Sequence, residues 1–258
     1  MDVNISLASY PGLRHTAALQ TALAEQSAGE LAEPALGQIS MRHCQLVPQN
    51  FGMLDEETCD ELQALSPETA FRLHANVRVL RGHVIADLAN FHEQQEWWTT
   101  AALLSKRLNA TGYSAHSGGR KDATLEQMLD NAKAASDLFG IPVAIEGQYP
   151  TKEGDLLVNS WQEYAAVFSS GAAFALDLSH LNILAHKTKS REMSLVRDML
   201  SSEQCLEVHL SDNNGTGDWH QVCENKPWWW ELLPSINPKS VVFSEGNRRV
   251  KRSERIAA

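Results

Sequence analysis

Short apolar runs alternate along the chain with longer stretches in which apolar residues recur every three or four positions. These are the periods of buried strands and amphipathic helices. Val3 to Leu7 reads as a strand broken by Pro11-Gly12, and Leu13 to Glu25 as a helix. Strand-like runs then appear at Met41–Val47, Phe71–Val79, Thr111–His116, Pro142–Glu146, Ala172–Asp177, Cys205–Leu210 and Ser240–Glu245. The intervening helical patterns cover Asp55–Leu65, Glu93–Leu108, Thr124–Phe139, Trp161–Phe168, Arg191–Leu200 and a short Pro227–Leu233. Eight near-continuous apolar strands separated by helices predict a parallel sheet covered on both faces. That count points to a closed (β/α)8 TIM barrel of the α/β class, with an open doubly wound sheet as the alternative. No linker or repeat divides the chain, so residues 1–247 are predicted to form one barrel domain and residues 248–258 a basic C-terminal tail.

Composition narrows the classes. With 258 residues, 43% hydrophobic and 21% charged, the chain has the balance of a globular domain. Its formal net charge of −10 argues against nucleic acid as a partner, because that affinity rests on Lys and Arg contacts to phosphate. No apolar stretch is long enough to cross a bilayer, and Met1-Asp2-Val3-Asn4 lacks the start of a signal peptide. The chain therefore reads as cytoplasmic, with no membrane partner. Cys44, Cys59, Cys205 and Cys223 form no Cys-x-x-Cys pair and read as reduced thiols.

The candidate chemistry lies where strands end. His74, His116, Glu146, Asp177, His209 and Glu245 each fall at or near the C-terminal end of a predicted strand, the edge on which barrels build their sites. Each alone reads as well as a hydrogen-bonded structural residue. Together, buried at one barrel mouth, such groups need a compensating cation. His180 follows Asp177 on the turn beyond the strand. The loop from Glu207 to His220, with its Asn-Asn-Gly turn, brings Asp218 and His220 back toward His209. Nine candidate ligands exceed what one ion takes from protein, which favours two or three metals; His220 and His74 are the first to be reassigned as outer partners or as a general acid/base.

The set His74, Ser114-Ala115-His116-Ser117-Gly118, Ile145-Glu146-Gly147, Leu176-Asp177-Leu178-Ser179-His180, His209-Leu210-Ser211-Asp212, Gly217-Asp218-Trp219-His220 and Ser244-Glu245-Gly246-Asn247 resembles the xylose-isomerase-like TIM-barrel superfamily. That group includes endonuclease IV, sugar isomerases and epimerases, and multinuclear non-heme iron enzymes of the methanobactin-biosynthesis type. The resemblance runs from about Met41 to Asn247 and leaves the reaction open. The iron branch implies O2-dependent oxidation of a peptide or thiol-containing small substrate, with a small partner protein presenting the peptide. Cys44-Gln45-Leu46-Val47-Pro48-Gln49-Asn50-Phe51 resembles its second strand, but Gln45 replaces an acidic residue and His180 an Asn. The isomerase/epimerase branch implies one manganese or zinc held by Glu146, Asp177, His209 and Glu245, with Glu146 and Glu245 as the acid/base pair. Endonuclease IV implies all nine ligands, but its Gly-Glu-Gly after the last histidine is here Gln221-Val222-Cys223-Glu224-Asn225. The iron reading is preferred because it uses the full ligand set without a DNA-binding charge. A barrel that keeps metal without turnover is the non-enzymatic alternative.

Arg78 and Arg120 are candidate contacts for an anionic substrate group, and Trp228, in Trp228-Trp229-Trp230, for an apolar one. Each also has an ordinary reading, as a surface ion pair or as packing on the barrel.

Overall fold

The structure, a computed structural model, describes residues 2–249; residues 250–258 of the predicted basic tail lie outside the described residues. All eight predicted strands form: β1 (Val3–Ser6), β2 (Ser40–Leu46), β3 (Ala70–Leu73), β4 (Tyr113–His116), β5 (Val143–Glu146), β6 (Phe174–Asp177), β7 (Cys205–Leu210) and β8 (Val241–Ser244). They pair in parallel in the order β3-β2-β1-β8-β7-β6-β5-β4. Helices α1 (His15–Ala28), α2 (Glu56–Leu65), α3 (Gln95–Arg107), α4 (Leu125–Phe139), α5 (Trp161–Ser170), α6 (Leu178–Thr188) and α7 (Met193–Ser201) alternate with them. Strand residues such as Ile5, Leu46, Leu73, Ala115 and Val208 are almost wholly excluded from solvent, as expected of strands buried on both faces. Among the described residues no helix is long and apolar enough to cross a membrane.

The ring is nearly closed. Among the described residues no backbone ladder joins β3 to β4; side chains cross that seam instead. Arg72 donates to Thr111 Oγ1 at 3.0 Å, the His74 ring meets Ser114 Oγ at 3.0 Å, and Asn76 stands 3.4 Å from the His116 ring. Residues 72 and 74 lie two apart and therefore face the same side, as alternating strand residues do. The predicted third strand is correspondingly shorter than its apolar pattern, because Asn76 turns the chain at φ 61°.

Two elements depart from the sequence pattern. A short hairpin, Ala32–Glu33 with Gly37–Gln38, precedes β2. His180 lies in a helix rather than a turn: α6 starts directly at Leu178, with Asp177 as its N-cap accepting from the Ser179 and His180 amides at 2.7 and 3.2 Å. The Trp-rich segment forms a tightly wound helix, Trp228–Ser235, with Trp229 in the core. Arg248, at the start of the basic cluster, pairs with Glu25 at 2.7 Å.

At the start of α1, His15 is buried with its Nε2 3.3 Å from the Val47 carbonyl. Burial, only partly offset by that contact, lowers its pKa from 6.5 to about 4. The unfolded chain therefore binds a proton that the fold refuses between those two values, and stability falls as pH drops from 6.5 toward 4. The displacement is worth roughly 3 kcal/mol in full. Urea denaturation at pH 7 and 4.5 should show wild type losing about 2 to 3 kcal/mol more than His15→Gln; equal losses would contradict the assignment.

Candidate metal centre

The strand registers set the site. Across neighbouring strands His116 lies beside Glu146 and Asp177 beside His209, so ligands from four strands reach the C-terminal mouth at nearly one level. The loop after β7 is closed by a backbone pair: Asp212 N–H donates to Gln221 O and Gln221 N–H to Asp212 O, at 2.7 and 2.9 Å. Between those anchors the chain doubles back and delivers Asp218 and His220. His220 is held at φ 45°, a conformation costly for a side chain with a Cβ and usually kept only where the surroundings impose it.

All nine predicted ligands come together. Glu146 is the common member, with carboxylate oxygens 3.5 Å from His74 Nδ1, 3.6 Å from His209 Nδ1, 3.8 Å from His116 Nε2 and 3.9 Å from His180 Nδ1. On one side His180 Nε2 lies 3.4 Å from both Asp177 and Asp218. On the other, Glu245 lies 3.7 Å from His209 and 3.6 Å from His220, and His220 returns to Asp218 at 3.1 Å. Among the described residues four groups are compact enough to hold an ion: His74-His116-Glu146, His74-His209-Glu245, Glu146-Asp177-His209 and Asp177-His180-Asp218.

Two observations test whether a cation fits. Donors sharing one tetrahedral ion at bond lengths of about 2.1 Å stand roughly 3.4 Å apart. Most of these contacts are that long or slightly longer, beyond the span of about 2.7 to 2.9 Å of a good charged hydrogen bond. Further, Glu146 Oε2, His209 Nδ1, Glu245 Oε1 and His220 Nδ1 are buried without a hydrogen-bond partner among the described residues. Orphaned donors and acceptors of this kind are rare in a fold and call for an explanation such as a bound ion. The donor set of imidazole and carboxylate, without thiolate, suits zinc, manganese or iron.

The electrostatics agree. Burial works against the charge on Glu146, but the His74 and His209 imidazoles overcome it and hold its carboxylate well below the usual range. Burial likewise disfavours a charged His209, yet Glu245 and Glu146 raise its pKa well above the ordinary value. Burial lifts Glu245 to about 7, while burial lowers His74 to about 3. Burial opposes a charge on His220 too, and Asp218 lifts it to about 9. Without a cation, the cluster neutralises itself by protonating imidazoles; binding a divalent ion must displace those protons.

Supporting contacts aim the ligands. His180 Nδ1 meets the Gly147 carbonyl at 2.9 Å, which directs Nε2 to Asp177 and Asp218, and Ser179 Oγ donates to Asp218 at 3.1 Å. The sequence reading did not single out Glu207, Arg72 or Ser179. Glu207 lies wholly buried beside His209, and its signal was the two-residue period that puts both side chains on one face of β7.

The three candidate substrate contacts are not joined to the nine ligands by any hydrogen bond or ion pair among the described residues. Arg120 binds Glu163 at 2.8 Å and Asn159 at 3.2 Å. Trp228 donates to Asn182 and lies under Arg191, whose guanidinium is 5.7 Å from its ring. Arg78, half-buried, stands near enough to His15 to disfavour its charged form.

No protein-family model matches the chain, and neither does any curated protein. Among solved structures, it is similar to a D-tagatose 3-epimerase-like protein (15% identity, TM-score 0.67, 100% of this chain and 94% of that one). It is also similar to a family 2 AP endonuclease from Brucella melitensis (16% identity, TM-score 0.62, 99% and 96%). Endonuclease IV from Thermus thermophilus is a third (14% identity, TM-score 0.54, 99% and 94%). At these identities the likeness is one of fold.

Proposed function

We infer that this chain, which has the fold of the xylose-isomerase-like TIM barrels, is an enzyme with a centre of two or three metal ions at the barrel mouth. The observation that carries the reading is the convergence of nine imidazoles and carboxylates at ligand spacing, with orphaned atoms both deep in the cluster and on His220 at its rim. One ion would be satisfied by Glu146, Asp177, His209 and Glu245. It would leave His74 with His116, and Asp218 with His180 and His220, gathered for no cation.

In this reading Glu146 links the groups, and Asp177 serves as helix cap with one oxygen and as ligand with the other. Glu245 and His220, 3.6 Å apart, would hold and pass a proton at the substrate. When bound, the ions supply Lewis acidity and, as iron, electrons for O2. Phe51, Ile85 and Trp219, at 61%, 50% and 57% exposure, are carried on loops that leave the C-terminal ends of β2, β3 and β7. Because it uses the full ligand set, the favoured reaction is iron- and O2-dependent oxidation of a peptide or small thiol-containing substrate, with a small partner protein to present the peptide. A one-ion isomerase/epimerase is the second reading, supported by the self-sufficient inner quartet and by the fold likeness to the epimerase-like protein.

Elemental analysis of anaerobically purified protein separates them. The multinuclear reading expects two or three ions per chain and the loss of at least one when Asp218 and His220 are both replaced by Ala. A single manganese or zinc retained by that variant selects the isomerase/epimerase, and a wild-type chain that takes up no metal removes both.

A further inference from the structure

Beneath the ligand cluster, inside the barrel, a second polar assembly is buried. Arg72 on β3 donates to Glu207 on β7 at 3.0 Å, and the other Glu207 oxygen lies 3.2 Å from His209 Nε2. The Gln45 side-chain amide nitrogen, from β2, sits 3.1 Å from the same ring nitrogen, and the amide oxygen has no partner among the described residues; an amide N–H cannot donate to a protonated Nε2, so beside the Glu207 carboxylate the amide is turned over to present its oxygen to that N–H. Arg72 is 7% exposed, and Glu207, Gln45 and His209 are at 0%. The other guanidinium nitrogen of Arg72 donates to Thr111 across the unpaired seam between β3 and β4.

We propose that Arg72 and Glu207 are positioning residues which fix the His209 ring so that Nε2 carries the proton and Nδ1 serves as the metal-binding nitrogen. This rests on the metal-centre reading above. A carboxylate can only accept, so a neutral His209 beside Glu207 keeps its proton on Nε2 and leaves a lone pair on Nδ1. Nδ1 is the atom that faces Glu146 and Glu245 at 3.6 and 3.7 Å, and among the described residues it has no hydrogen-bond partner. A carboxylate behind a ligating imidazole also makes the ring a stronger donor. Burying Glu207 alone would be prohibitive, and Arg72 compensates it. Since Arg72 also spans the seam, the same guanidinium that bridges the open side of the barrel holds the ligand on the opposite strand.

The test uses the full chain. Glu207→Leu alone leaves Arg72 as an unpaired buried charge and can fail to fold, so the informative variant is Arg72→Met with Glu207→Leu, which removes both charges at similar volume. Zinc is the probe, with affinity read by chelator competition and ring protonation by nitrogen-15 NMR of labelled histidine. In wild type loaded with zinc, His209 should show a protonated Nε2 and a metal-bound Nδ1. The double variant should fold and bind its weakest-held zinc about 10 to 100-fold more loosely, as outer partners of ligating histidines do. A His209 bound through Nε2, or a folded double variant with unchanged zinc affinity, overturns the proposal. Wild type that binds no zinc or other divalent metal overturns instead the metal-centre reading on which it rests.

Discussion

Replacing Glu146 with Ala is expected to reduce bound metal to at most one weakly held ion and to abolish turnover. Among the described residues Glu146 is the only carboxylate within 4 Å of four of the five cluster imidazoles, His74, His116, His180 and His209. Every other carboxylate of the cluster touches at most two of them. Its removal takes an anionic donor from two of the four candidate ion-binding groups at once. The loss of affinity should exceed the factor of about 10 to 100 that follows from disturbing an outer partner. Glu146→Gln, which keeps the volume and one neutral oxygen, should fall between. Metal removal should echo in stability, because an ion present at 100 times its dissociation constant adds about 2.7 kcal/mol to the fold. Chelator should therefore lower the unfolding temperature of wild type and leave that of Glu146→Ala nearly unchanged. A Glu146→Ala protein that kept its full metal complement would remove the carboxylate from the centre of the site.

Much of this arrangement was legible because parallel barrels write it along the chain. A strand buried on both faces is almost uniformly apolar, so a His, Asp or Glu at its end stands out, and six of the nine ligands were visible that way. Asp218 and His220 were legible from the loop's spacing. His180 was placed correctly in sequence and wrongly in structure: the apolar strand runs into α6 with no turn residue between them, and the capping residue is itself the ligand Asp177. Glu207 and Arg72 were hidden for a different reason. Both are interior members of strands, where a charge signals a buried partner, and the partner lies 135 residues away in sequence. Such a pair shows only once the sheet order is known. The open seam between β3 and β4 is invisible for the same cause, since apolar periodicity specifies strands but not which of their edges meet.

The second large effect is expected at Gly147, the residue after Glu146. A Cβ there would run into the ring carbons of Tyr164, far inside contact distance. The ring has little room to retreat. It is buried against the sheet from α5, and its hydroxyl donates to the Gln148 carbonyl at 3.0 Å. Overpacking of this kind costs about 1 to 3 kcal/mol, and the fixed ring puts Gly147→Ala near the upper end. For a chain of this size that corresponds to a fall of roughly 6 to 12 °C in unfolding temperature. The clash also moves a peptide whose carbonyl accepts from His180 Nδ1 at 2.9 Å and thereby aims Nε2 at Asp177 and Asp218. Gly147→Ala should therefore lose the ion held by Asp177, His180 and Asp218 before it loses the others. Thermal denaturation and metal analysis on one sample decide the point. Unchanged melting would show that Tyr164 yields easily, and full metal content at lowered stability would separate the packing of this turn from the alignment of His180.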